Sequence, residues 1–111
     1  PRASSLIGMI GTVPPGSRQD DIKRLGQDLR AKYEGYDNIN IEVFDDLEAA
    51  QRYAERQTSD PDHHVLTVSK HAESGRDVIL LVVPGGVIEV TPEKPTDASA
   101  EPTAPPDPTS R

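Results

Sequence analysis

Two aspartate pairs, Asp20-Asp21 and Asp45-Asp46, are the residues of this chain whose type and spacing could do chemistry. Each pair stands where a strand-like pattern gives way to a helix-like one. Carboxylates gathered at one edge of a sheet can hold Mg²⁺ or Ca²⁺, hard cations that take oxygen ligands. If the first two strands run parallel, both pairs fall at the same edge, where open α/β sheets receive ligands. Asp20, Asp21, Asp45 and Asp46 are therefore the candidate metal residues. The competing reading is mechanical. Aspartate is a preferred helix N-cap, and its charge suits the positive end of the helix dipole. Capping accounts for these positions without a ligand.

Other reactive side chains form weaker patterns. Asp60-Pro61-Asp62-His63-His64 precedes a predicted strand, with His71 seven residues beyond His64. Neighbouring residues of a strand point to opposite faces, so His63 and His64 do not readily share an ion, nor do His64 and His71. Gly11 to Arg18 superficially resembles a phosphate-binding loop. It lacks the lysine, and Pro14 and Pro15 remove amides that would cradle phosphate. No serine lies in a nucleophile elbow. With 0 cysteines, thiol catalysis and zinc–thiolate sites are excluded. The sequence therefore assigns no catalytic residue and no cofactor.

The elements that would position these residues follow from periodicity. The stretch Asn38 to Arg56 changes its hydrophobic period from two to about 3.6 at Asp45-Asp46, a strand feeding a capped helix. Residues 5–13 read as a strand, ended by Pro14-Pro15-Gly16. Ser17 then opens a helix, with Asp20 completing a capping box. Ile22, Leu25, Leu29 and Tyr33 form its apolar stripe, and Lys23, Arg24, Asp28 and Arg30 face water. Residues 39–44 alternate, with Ile39, Ile41 and Val43 inward and Phe44 exposed beside Glu42. Leu47, Ala50 and Ala54 line the second helix, about 46–57. Strands are expected at 63–70 and 78–83, the latter central and covered on both sides, with a short edge strand at 87–91. The expected fold class is α/β: an α+β sandwich with a small mixed sheet in the order β-α-β-α-β-β(-β). The first two strands are parallel, the third and fourth form a hairpin, and two helices pack on one face.

Residues 1–91 are expected to form one domain. From Pro92 to Arg111 the chain is rich in Pro, Thr and Asp and has no large apolar side chain, so burial cannot offset its ordering entropy. The net charge of −7 is diffuse, and no basic run with interleaved aromatics is present, so nucleic-acid binding is not expected. No apolar run approaches a membrane span.

Tyr36-Asp37, then INIEVFDD and LEAAQRYAE, resemble segments of small bacterial proteins of unknown function, many of them exported, over about residues 20–70. The resemblance implies a bacterial origin, and an extracytoplasmic setting if a leader precedes Pro1; the protein is expected to come from a bacterium or its phage. It carries over no catalytic residue. The leading expectation is a non-enzymatic protein-interaction module that presents the Phe44/Glu42 face or the edge strand 87–91. Two others stand beside it: a small ligand- or metal-dependent enzyme domain using the acidic edge, and an acidic inhibitor of a basic partner.

Overall fold

The computed structural model describes residues 5–56 and 60–93. Along the chain run β1 (Leu6–Thr12), α1 (Gln19–Lys32), β2 (Asn38–Phe44), α2 (Leu47–Arg56), β3 (His64–His71), β4 (Arg76–Val83) and β5 (Gly86–Val90). The strands form one mixed five-stranded sheet in sequence order, completing an α+β fold with the two helices. β1 and β2 are parallel, and the other neighbours are antiparallel. The short edge strand expected near 87–91 is present as β5.

Alternation along β2 builds the main core. Ile39, Ile41 and Val43 are buried together with Leu66, Val68, Ile79 and Leu81. The register places them in rows: Val43 opposite Leu66 opposite Leu81, and Ile41 opposite Val68 opposite Ile79. Helix α1 covers this face over β3 and β4 through Ile22, with Leu25, Leu29 and Tyr33 packed around it. Gly26 sets the approach distance. A Cβ there would fall 2.8 Å from Ile79 Cγ2 and 3.0 Å from Leu66 Cδ1.

Phe44 departs from the expectation. It is 1% exposed, buried with Ala49 and Ala50, and its ring lies 5.5 Å from that of Tyr53. Val43 belongs to the α1-side core, whereas Phe44 points to the opposite face, where α2 packs chiefly on β1 and β2. The helices thus lie on opposite faces of the sheet, not on one. The physical reason is that β2 ends in two consecutive apolar residues. Each needs its own cover, and the two-residue link Asp45-Asp46 delivers α2 straight onto Phe44. Within α2 the buried positions are Ala49 and Ala50, while Leu47 is exposed, which rotates the expected apolar side.

Three further expectations are corrected. Among the described residues a helix covers β4 on one face: Ile79 and Leu81 are buried, while Val78, Leu80 and Val82 are half-buried, because α2 packs chiefly on β1 and β2. Ser17 does not cap α1. Its hydroxyl donates to the Pro14 carbonyl at 2.6 Å, closing the turn through Gly16, which has φ 80°. Arg18 takes the N-cap position without a side-chain hydrogen bond. Arg30 is buried rather than turned to water. Its guanidinium donates to both carboxylate oxygens of Asp77 at 2.7 Å each and to Glu34 at 2.7 Å. A long aliphatic stem can lie on the apolar face of a helix while its head finds acid at the sheet end.

After β5 the chain turns onto α1. The Gln27 side chain, 5% exposed, donates to the Thr91 carbonyl and accepts the Glu93 amide, and Arg24 pairs with Glu93. Contact with the domain therefore extends to Glu93. The tail expected from Pro92 lies outside the described residues from 94 onward.

Candidate functional site

The richest grouping of polar side chains lies at the end of the sheet where β2 finishes and β3 begins. Antiparallel pairing of β2 with β3 brings Asp45 beside His63, joined by a backbone hydrogen bond of 2.8 Å from the Asp45 amide to the His63 carbonyl. The side chains also meet, with His63 Nδ1 2.9 Å from Asp45 Oδ1. This carboxylate, with Asp46 and Asp60 nearby, holds the imidazole pKa above its ordinary value. Arg52 donates to Asp60 at 2.7 Å and lowers its pKa. Asp46 serves α2: its Oδ2 accepts the Ala49 amide at 3.0 Å, the N-cap bond anticipated for this position.

On the α2 face, His64 Nε2 lies 2.9 Å from Glu42 Oε1, 3.0 Å from Thr67 Oγ1 and 3.1 Å from the Leu66 carbonyl. Thr67 donates to the same Glu42 oxygen. The imidazole stacks on Phe44 with centroids 5.0 Å apart. Two acceptors around Nε2 require that nitrogen to carry the proton. The group is not a nucleophilic triad, because the threonine hydroxyl is spent on the carboxylate rather than on the imidazole.

Beside it opens a cleft of about 590 Å³ at the β4–β5 turn. Val65, Val82, Val83, Pro84 and Val87 supply apolar wall, and Asp45, Asp62 and His64 supply polar wall. Periodicity had marked neither this cleft nor the Glu42–His64–Thr67 cluster. Both depend on antiparallel register, which brings together residues 22 and 25 positions apart in sequence.

The four aspartates singled out in the sequence are divided by the fold. Asp20 and Asp21 occupy the first turn of α1, and Asp45 and Asp46 stand before α2 on the other face. Among the described residues, no three His, Asp or Glu side chains gather as a metal site. His63 and His64 engage different carboxylates, as their opposite projections require. Among the same residues, no helix is long and apolar enough to cross a membrane. Comparisons with protein-family profiles, with characterised proteins and with solved structures each returned no match.

Proposed function

We propose that this chain is a non-enzymatic binding module that receives an extended, basic polypeptide segment on the β5 side of its sheet. The observation that carries this reading is the cleft of about 590 Å³, lined by valines and by Asp45 and Asp62, beside an edge strand. Val87, 57% exposed, stands at its mouth. Polypeptide strands add to open edges through main-chain hydrogen bonds, with alternate side chains entering pockets. Apolar side chains of such a segment would suit Val82 and Val87, and Lys/Arg side chains two positions away, on the same face of the added strand, would suit Glu89, with Asp62 in the cleft wall. Phe44 takes no part, being buried under α2.

Selection of randomised displayed peptides on the full chain tests this reading. The expected winners carry basic and apolar residues two positions apart, shift the amide resonances of Val82 to Glu89, and lose binding with added salt. Val87→Lys should abolish that binding without unfolding the domain. Winners of acidic composition, no winners, or shifts confined to α1 would refute it.

A further inference from the structure

We infer that two copies of this chain associate through their β1 strands, paired antiparallel about a two-fold axis at Met9 to make one continuous sheet. The inference uses β1, at the opposite edge from the cleft, and does not depend on the peptide-binding reading.

β1 is the outer strand of the sheet, and its sequence, Leu-Ile-Gly-Met-Ile-Gly-Thr, contains no charge and no proline. Edge strands normally carry such protection against pairing. The opposite edge strand, β5, is shorter, at five residues, and carries Glu89. Leu6 is 67% exposed and Ile10 37% on the same strand.

The outward hydrogen-bonding groups can be assigned. Ser5 accepts from the Asn38 amide and the Val13 amide donates to Phe44, so the odd-numbered residues of β1 bond to β2. In a parallel pair the alternate residues turn their N–H and C=O the other way. Leu6, Gly8, Ile10 and Thr12 therefore offer main-chain donors and acceptors to a partner. Antiparallel pairing about Met9 overlaps the whole strand and sets Gly8 opposite Ile10 and Leu6 opposite Thr12, each pair exchanging both hydrogen bonds.

The same register matches shape. On one face Ile10 of each copy lies over Gly8 of the other; on the second face Ile7 lies over Gly11. A Cβ at Gly8 would meet nothing closer than Asn40 O at 4.0 Å, and one at Gly11 would meet nothing within 4 Å. Packing inside this domain therefore does not account for either glycine. Glycine in a strand interior weakens it and often marks close approach of another chain. Shifting the register to centre on Gly8 or Ile10 shortens the overlap and breaks the glycine–isoleucine matching. A two-fold axis makes such an interface self-complementary, which selects a second copy over an unrelated strand.

The chain has no cysteine, so one introduced thiol reports the register. Met9 faces its own symmetry mate in a non-hydrogen-bonded pair, where Cα atoms are about 4.5 Å apart, inside the disulfide range. Met9→Cys should form a covalent dimer under mild oxidation, and Ile7→Cys, displaced from its mate along the strands, should not. Light scattering on the unmodified chain should give a dimer mass. Gly8→Lys, which adds a side chain in open space, should give a monomer with unchanged circular dichroism. A monomer mass for the unmodified chain at millimolar concentration, or equal cross-linking of the two cysteine variants, overturns the inference.

Discussion

His63 is a side chain whose charge state is tied to the fold. Its partner Asp45, together with Asp46 and Asp60, raises its pKa, so the charged imidazole binds more favourably in the folded chain than in the unfolded one. The sign follows from linkage: this contribution is complete below the unfolded value near 6.5 and is lost as pH rises through the higher folded value. An NMR titration should find the His63 pKa raised above the ordinary histidine value, and Asp45→Asn should bring it down. An unshifted His63 in the variant would remove Asp45 as the cause. Asp46 has a different task, and Asp46→Ala should lose about 1 kcal/mol in urea denaturation through the lost cap. Millimolar Mg²⁺ or Ca²⁺ should leave the melting temperature of the unmodified chain unchanged, since the aspartate pairs sit on opposite faces. A rise of several degrees would restore the metal reading. The caps at Asp45-Asp46 were legible because a helix start demands acceptors locally. The choice between the two was not, because His63 claims Asp45 from 18 residues away.

At the scale of elements, α1 is seated by one glycine and one buried cation. Gly26→Ala gains about 1 kcal/mol of helix propensity but forces a methyl onto Ile79 and Leu66. Overpacking of that kind costs about 1–3 kcal/mol, so a net loss of stability is expected. A more stable variant would mean that α1 can lift from the sheet freely. Arg30 is nearly buried and Asp77 more open, so removing the acid leaves a buried cation with the exposed Glu34 as its remaining carboxylate partner. Asp77→Ala should cost about 2–3 kcal/mol, clearly more than Arg24→Ala in its exposed pair. The Asp77 carboxyl is held below its ordinary pKa by the Arg30 hydrogen bond. Its contribution is present above the unfolded value and disappears as pH falls through the folded one, so Asp77→Asn should flatten the acid limb of the stability profile. Lys70 from β3 adds a tie, donating to the Glu34 and Tyr36 carbonyls just beyond α1. The apolar stripe of α1 could be read from its spacing. The burial of Arg30 could not, because Asp77 lies 47 positions away and only the β4 register brings it near.

At the scale of the whole molecule, the sheet has two unlike edges and two unequally covered faces. Behind β5 the chain is fastened to α1 by Gln27, whose amide stands in for a neighbouring strand. Gln27→Ala should speed hydrogen exchange at the Glu93 amide while leaving Val68 and Ile79 protected; slow exchange at Glu93 would show that Gln27 is dispensable. The amino-acid order alone determined the kind and order of the elements as far as β4, the parallel first pair and the β3–β4 hairpin, and left the last strand optional. Each of these follows from local periodicity, turn residues and the handedness of short connections. Which face each helix covers, that Phe44 and Arg30 are inside, and where a cleft opens were decided only by the tertiary structure. Those outcomes depend on contacts between residues far apart in sequence. A strand ending in Val43-Phe44 offers apolar surface to both sides, and only the packed sheet settles which helix takes which.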